Sequence, residues 1–372
     1  MEGRGLDKSC PIPKPIMDKK LRVPVFYSPD HLLHQPKWEY EKGTMQIYLE
    51  QAERIEAARQ KLLELSFTFE VQPAMQLTED KILRVHNAQM LAVIQESAKR
   101  AEKMAAESGG DDPYLIPWIF PIQTSQRNQL INSPEPDGCF AYDLYAPIGR
   151  GSWQAALASA NLAYSAAKTL IEDQISLGYA LCRPPGHHAG RNFYGGYCYL
   201  NNAAIAADTL RRLLGRGVIL DIDYHHGNGT QDIFWDNPDV LFISIHADPA
   251  DEYPYFSGYT HETGGEKAQG AIINLPLPMG ADDPSYLQAL DTALAAIRSF
   301  QPAWMVVSAG FDTCLEDSTT SFLLSDEVYN VLGSRIGRLN LPMLIVHEGG
   351  YAIQKNGDLA AQFLSGMINA GK

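Results

Sequence analysis

Five short apolar runs recur through the second half of the chain: GYALC (178–182), VILDID (218–223), VLFISIH (240–246), WMVVSAG (304–310) and PMLIVHE (342–348). Runs this short and this uniformly apolar suit strands covered on both faces, the habit of a parallel sheet. Segments of helical period alternate with them: SWQAALASANLAYSAAKTLIED (152–173), NNAAIAADTLRRLLG (201–215), PSYLQALDTALAAIRSF (284–300) and SDEVYNVLGSRIGRL (325–339). The alternation predicts an α/β fold around a parallel sheet. Upstream, the pattern predicts two further helices over 45–65 and 78–107, then a long Gly/Pro-rich connection over 108–138 of the kind that borders active sites. The 372 residues are expected to form an N-terminal extension over 1–20 and one large domain over 21–372.

Composition narrows the function classes. Lys and Arg number 30 against 44 Asp and Glu, a net charge of −14, with no basic cluster to track a phosphate backbone. Nucleic acid is therefore not expected as a ligand, whereas cationic substrates suit an acidic surface. No apolar run approaches the ~18 residues of a membrane span, and the first residues lack the apolar core of a secretory signal, so a cytoplasmic location away from membranes is expected. The five cysteines (10, 139, 182, 198 and 314) form no CxxC, so a metal would have to be held by histidine and carboxylate.

Polar residues gather where the apolar runs end. His187 and His188, in RPPGHHAG, follow the first run; Asp221, Asp223 and His225 close the second. Asp312 follows the fourth, and Tyr351 follows the fifth through EGG. Ligands of open α/β sheets bind at the carboxyl ends of strands, so four strand ends point to one site. In DIDYHHGNG (221–229), Asp221, Asp223 and His225 alternate and share one side of an extended chain. Alone, this pattern equally suits a strand end with capping carboxylates. Joined by Asp312, Asp223 and His225 make the three-ligand His/Asp set of a catalytic zinc, which polarises a carbonyl and acidifies bound water. His187 and His188 supply a base for water and an acid for a leaving amine, Tyr351 a donor to the developing oxyanion, and Asp221 a carboxylate to orient an imidazole.

Taken together, RPPGHHAG, GGYCYLNNAAIAA, ILDIDYHHGNGTQDIF, GFDT and EGGY resemble the zinc-dependent histone deacetylase and acetylpolyamine amidohydrolase family, from about LRVPVFYSPDH to the C-terminus. The resemblance implies a three-layer arginase-deacetylase-like fold with a central parallel sheet of about eight strands. It implies zinc on Asp223, His225 and Asp312, and His188 as general base and acid. His187 becomes an electrostatic neighbour backed by Asp221, and Tyr351 the oxyanion donor. It further implies a structural potassium ion on Asp221, Asp223, His225, Ser244 and Ile245, and a substrate tunnel walled by Gly196, Tyr197 and Tyr253. Asn228 stands where some eukaryotic members carry an aspartate behind the second histidine, so His188 is expected to be less basic here.

The segments SFLLSDEVY, GGYCYLNN and HADPADEYPYFSGY look closer to bacterial acetylpolyamine amidohydrolases than to histone-directed enzymes. The expected substrate is a small cationic acetylated amine, with acetyl-lysine in proteins as the alternative. Glu39 matches in spacing an acidic residue that the amidohydrolases use at their dimer edge, and Asp137 is a second candidate for the tunnel mouth. A homodimer is expected, and the mixed N/O ligand set suits iron(II) as well as zinc. A silent binding protein of the same fold, or a two-metal ureohydrolase, are the remaining readings; the second lacks the further aspartates it needs, because Gly227, Thr313 and Cys314 stand in the corresponding places.

Overall fold

A computed structural model describes residues 23–65, 69–70, 75–108 and 112–370; the extension expected over 1–20 lies outside them. Among the described residues the chain forms ten strands: β1 (Val25–Phe26), β2 (Trp38–Glu41), β3 (Thr44–Ile47), β4 (Phe69–Glu70), β5 (Leu177–Ala180), β6 (Gly217–Asp221), β7 (Val240–Ala247), β8 (Ile272–Leu277), β9 (Met305–Ala309) and β10 (Met343–His347). Eight of them make one sheet in the order β4-β1-β5-β10-β9-β6-β7-β8, every pairing parallel. All five apolar runs of the sequence are strands of this sheet.

The helices are α1 (Glu53–Glu64), α2 (Glu79–Val85), α3 (Ala88–Glu107), α4 (Thr124–Leu130), α5 (Ser152–Glu172), α6 (Asn202–Leu214), α7 (Asn228–Phe234), α8 (Asp283–Phe300), α9 (Asp326–Gly337) and α10 (Ile353–Asn369). Successive strand residues feed opposite cores. Val218, Leu220, Leu241, Ile243, Met305, Val307 and Ile345 pack with α1, α8, α9 and α10. Ile219, Phe242, Val306, Leu344 and Val346 pack with α3, α5 and α6 on the other face. This is the three-layer arrangement, and the uniformly apolar strands follow from it: with helices on both faces, neither side of a strand meets water.

From β5 the chain crosses to β6 and leaves between them two positions that β10 and β9 fill later. Strands β5, β10, β9 and β6 are thereby consecutive neighbours at the sheet centre, and their carboxyl ends open into one crevice.

Two helix expectations are corrected. The helix read over 45–65 begins only at Glu53, because residues 44–47 pair antiparallel with 38–41. Lys42 and Gly43 form the two-residue loop of this hairpin, with φ of 46° and 87°, the positive values of the turn that matches strand twist. The helix read over 78–107 is two helices, since Asn87 leaves the helical region and its side chain accepts from Gln89 N and Met90 N to cap α3. The connection over 108–138 also holds α4.

The N-terminal segments are held to the sheet by a buried ion cluster. Glu50 Oε1 accepts from Arg54 Nη1 at 2.5 Å and from Arg183 Nε at 2.9 Å, with all three side chains fully enclosed. Arg183 also donates to the carbonyls of His31 and Glu50, and Arg54 to those of Glu348 and Gly350. Replacing one member of such a cluster leaves the others charged and unpaired. Glu50→Gln is expected to cost about 3–5 kcal/mol, read as a lower urea midpoint at unchanged slope.

Candidate active site

The end of β6 builds the centre. Asp223 N donates to Asp221 Oδ1 at 3.1 Å, and His225 N donates to Asp223 Oδ1 at 2.9 Å. These successive side-chain-to-backbone bonds turn the chain out of the sheet while Asp223 and His225 face the crevice. Asp312, beyond β9, arrives from the neighbouring strand and is fixed by Tyr224 N at 2.9 Å. His225 Nδ1 lies 3.4 Å from Asp223 Oδ1 and 3.2 Å from Asp312 Oδ2. One donor atom of each residue falls within 4.8 Å of the other two, the one such metal-holding group among the described residues.

The charge state of these groups calls for a cation. Burial opposes a charge on His225, yet hydrogen bonds and the charges of Asp223 and Asp312 raise it to about 10. Burial and the charge of Asp223 push Asp312 up to about 7. Two enclosed carboxylates thus draw positive charge to the point between them, and a divalent ion supplies it better than a proton. The donor set fits a metal.

The tandem histidines have separate partners. His187 Nδ1 lies 3.1 Å from Asp221 Oδ2, and its Nε2 lies 3.7 Å from Asp223 Oδ1. Burial would lower it, but the two aspartates prevail and raise it to about 10. His188 Nδ1 lies 2.7 Å from Asn228 Oδ1, an amide in place of the carboxylate that His187 meets. Burial, then the neighbouring charges of His187 and His225, hold it well below the usual histidine range. The rings are 4.0 Å apart, so a charge on one penalises a charge on the other. The Asn228 hydrogen bond itself acts the other way and raises His188, so its low basicity comes from burial and the neighbouring charges.

Tyr351 stands on the turn after β10, where Asp317 accepts from the backbone N–H groups of Tyr351 and Ala352. The Arg54 guanidinium lies 4.8 Å from its ring centre. Burial raises its phenol well above the usual range, with Arg54 opposing, so it is a proton donor rather than a phenolate.

These groups open into a cavity of about 280 Å³ lined by His188, Gly196, Tyr197, His225, Tyr253 and Tyr351, with Tyr145, Glu41, Lys42 and Glu252 among the remaining walls. Gly196 is required: with φ of 52°, a Cβ there would lie 2.5 Å from the His188 ring and 2.7 Å from Tyr253 Oη. Asp143 braces the wall, accepting from Gly196 N at 2.9 Å and Tyr253 Oη at 2.6 Å. The register of β6 and β7 sets Asp221 opposite Ser244, with Ile245 next along β7.

Two expected substrate contacts are relocated. Asp137 is buried away from the cavity, bonded to Ser97 Oγ and ion-paired with Arg100, so its carboxylate joins α3 to the following loop. Glu39 is also buried, accepting from Tyr197 Oη at 2.8 Å and Gln46 Nε2 at 2.8 Å. It stands behind the wall rather than in it. Glu41, two residues on and on the same side of β2, is the carboxylate that lines the cavity. Period-two reading of WEYE would have paired Glu41 with Glu39. Asp143, Arg54 and Glu348 carry no local signal, since their partners are distant in sequence.

The profile of the histone deacetylase domain matches residues 48–367. The chain belongs to the histone deacetylase family. Within it, the chain is 41% identical to acetylpolyamine amidohydrolase 1 of Pseudomonas aeruginosa over 93% of its length and 99% of the relative's. It is 39% identical to acetylpolyamine amidohydrolase 2 of the same species, over 92% of this chain and 97% of the other. Among solved structures, an acetylpolyamine aminohydrolase from Burkholderia pseudomallei superposes with a TM-score of 0.85 at 33% identity, covering 94% of this chain and 99% of that one. The fold is that of the deacetylases, and this family member is a hydrolytic enzyme. Asp223→Asn removes a charge from the donor group and is expected to drop bound metal from about one ion per chain toward zero. Metal analysis after dialysis measures this, and a full complement in the variant sinks the ligand assignment.

Proposed function

We propose that this enzyme removes acetyl groups from small cationic amines, acetylated polyamines above all, with a divalent metal ion held by Asp223, His225 and Asp312. One observation carries the reading: a single cavity joins His188, His225 and Tyr351 to the tyrosine walls Tyr197 and Tyr253 and to the carboxylates of Glu41 and Glu252. Tyrosine faces suit a linear alkyl chain, and the two carboxylates suit an ammonium group along it. The names of the amidohydrolase relatives support the same substrate class.

A bound ion, zinc in this reading with iron(II) also suited to the donors, would polarise the acetyl carbonyl and acidify water beside it. Asn228 accepts from Nδ1 of His188, which leaves Nε2 free to take the proton of water and pass it to the departing amine. His187 keeps its charge against Asp221 and stabilises negative charge nearby. Tyr351 donates to the oxygen that becomes negative. Potassium on Asp221, Asp223, His225, Ser244 and Ile245 would stiffen the same loop.

The reading includes a homodimer, supported by Trp38, Tyr40, Met45 and Ile47, which share the exposed face of the β2–β3 hairpin. It also includes a cytosolic location, supported by the unpaired Cys139, Cys182, Cys198 and Cys314. Among the described residues no helix is long and apolar enough to cross a membrane. Sedimentation velocity at micromolar concentration is expected to return a dimer; a monomer overturns that part. Acetyl-lysine presents a similar alkyl amide without the free distal ammonium, so kcat/KM separates the substrates. Acetylputrescine is expected to exceed an acetyl-lysine peptide by on the order of tenfold or more, and a peptide preference overturns the polyamine reading.

A further inference from the structure

Glu348 is a fully buried carboxylate at the site that none of the proposed steps uses. Its Oε2 accepts from Gly186 N at 2.7 Å and His187 N at 3.2 Å, and its Oε1 accepts from Ser308 Oγ at 3.3 Å. The side chain thus takes two backbone donors of the tandem-histidine turn, from the end of a different strand. Its own backbone is fixed independently. Glu348 N donates to Ala309 O at 3.0 Å, and its carbonyl accepts from Arg54 Nη2 at 2.6 Å. Gly349 N donates to Asp223 Oδ2 at 2.8 Å, and Tyr351 N is held by Asp317. One short turn therefore grips the histidine turn at its start, touches the metal-ligand aspartate in its middle and carries the phenol at its end.

We infer that Glu348 is a positioning residue that sets His188 at a fixed separation from Tyr351. The inference rests on the roles proposed above for those two residues. A carboxylate that accepts two adjacent N–H groups defines the turn's orientation as well as its distance. Without it, Gly186 N and His187 N lose their acceptor in an enclosed space, and the turn relaxes toward other partners. Displacement of a proton-transfer group by about 1 Å costs on the order of 10²-fold in rate while substrate binding is little affected.

The test is a double-mutant cycle on the metal-loaded enzyme with acetylputrescine, or with whichever acetyl amide proves the better substrate. Glu348→Ala is expected to lower kcat by roughly 30- to 100-fold at unchanged KM and metal content. Glu348→Gln keeps an acceptor oxygen and is expected to restore most of that loss. In a His188→Ala background, Glu348→Ala is expected to cost little more, because the group it positions is gone. Ser308→Ala, which frees Oε1, repeats the cycle more mildly should the alanine variant fail to fold. Full multiplicative losses in the His188→Ala background, or a raised KM or lost metal alongside the lower kcat, overturn the inference. If His188→Ala itself leaves kcat intact, the proposed proton carrier is wrong and the inference falls with it.

Discussion

The Glu50 carboxylate, enclosed between the guanidinium groups of Arg54 and Arg183, is the interaction on which the rest of the site depends. Charges buried this deeply persist only when paired, and one oxygen of Glu50 takes both guanidinium groups, so the three residues specify one geometry. That geometry spans the chain. Arg183 opens the turn that carries His187 and His188, whereas Arg54 reaches the carbonyls of Glu348 and Gly350 beside Tyr351. Hydrophobic burial holds the three layers together without direction. The ion cluster adds direction, and it fixes the separation of the two turns that follow the neighbouring strands β5 and β10.

Within that frame the two adjacent histidines diverge through the charges around them. Both are buried, but the charges of Asp223 and Asp221 raise His187, while burial and the charges of His187 and His225 depress His188. Two identical side chains 4.0 Å apart thereby hold different protonation states in the same pH range. Turn chemistry places them; burial and the charges around each ring differentiate them.

Much of this was legible in the sequence, and the limits have physical causes. Strands β5, β6, β7, β9 and β10 announce themselves because central strands of a covered parallel sheet are apolar on both sides. Strand β8 escapes notice because it is an edge with half-exposed positions and Pro276, and β1 and β4 are two residues each. Helix α10 contains Gly357 and Gly366 and is held by its packing on α1 and α9 rather than by propensity. In the site, residues within a few positions of a strand end were readable, since local spacing decides which way they face. Glu50, Arg54, Asp143 and Glu348 were not, because what makes each important is a partner far along the chain. The same blindness explains Asp137, whose acidic character is visible in the sequence while its neutralisation by Arg100 is not.

The chemistry-bearing groups come from the ends of four adjacent central strands, whereas the β2–β3 hairpin, which brings Glu41 and Glu39, pairs with no strand of that sheet. The two parts answer to different constraints. Changes in the strand ends disturb hydrogen bonds shared by several buried side chains, so that half of the site resists alteration. The hairpin is bound by few of those obligations and can exchange side chains while the reaction beneath it stays the same. In such an architecture the lining that the hairpin gives the cavity is free to drift over evolutionary time on a base of strand ends that is not.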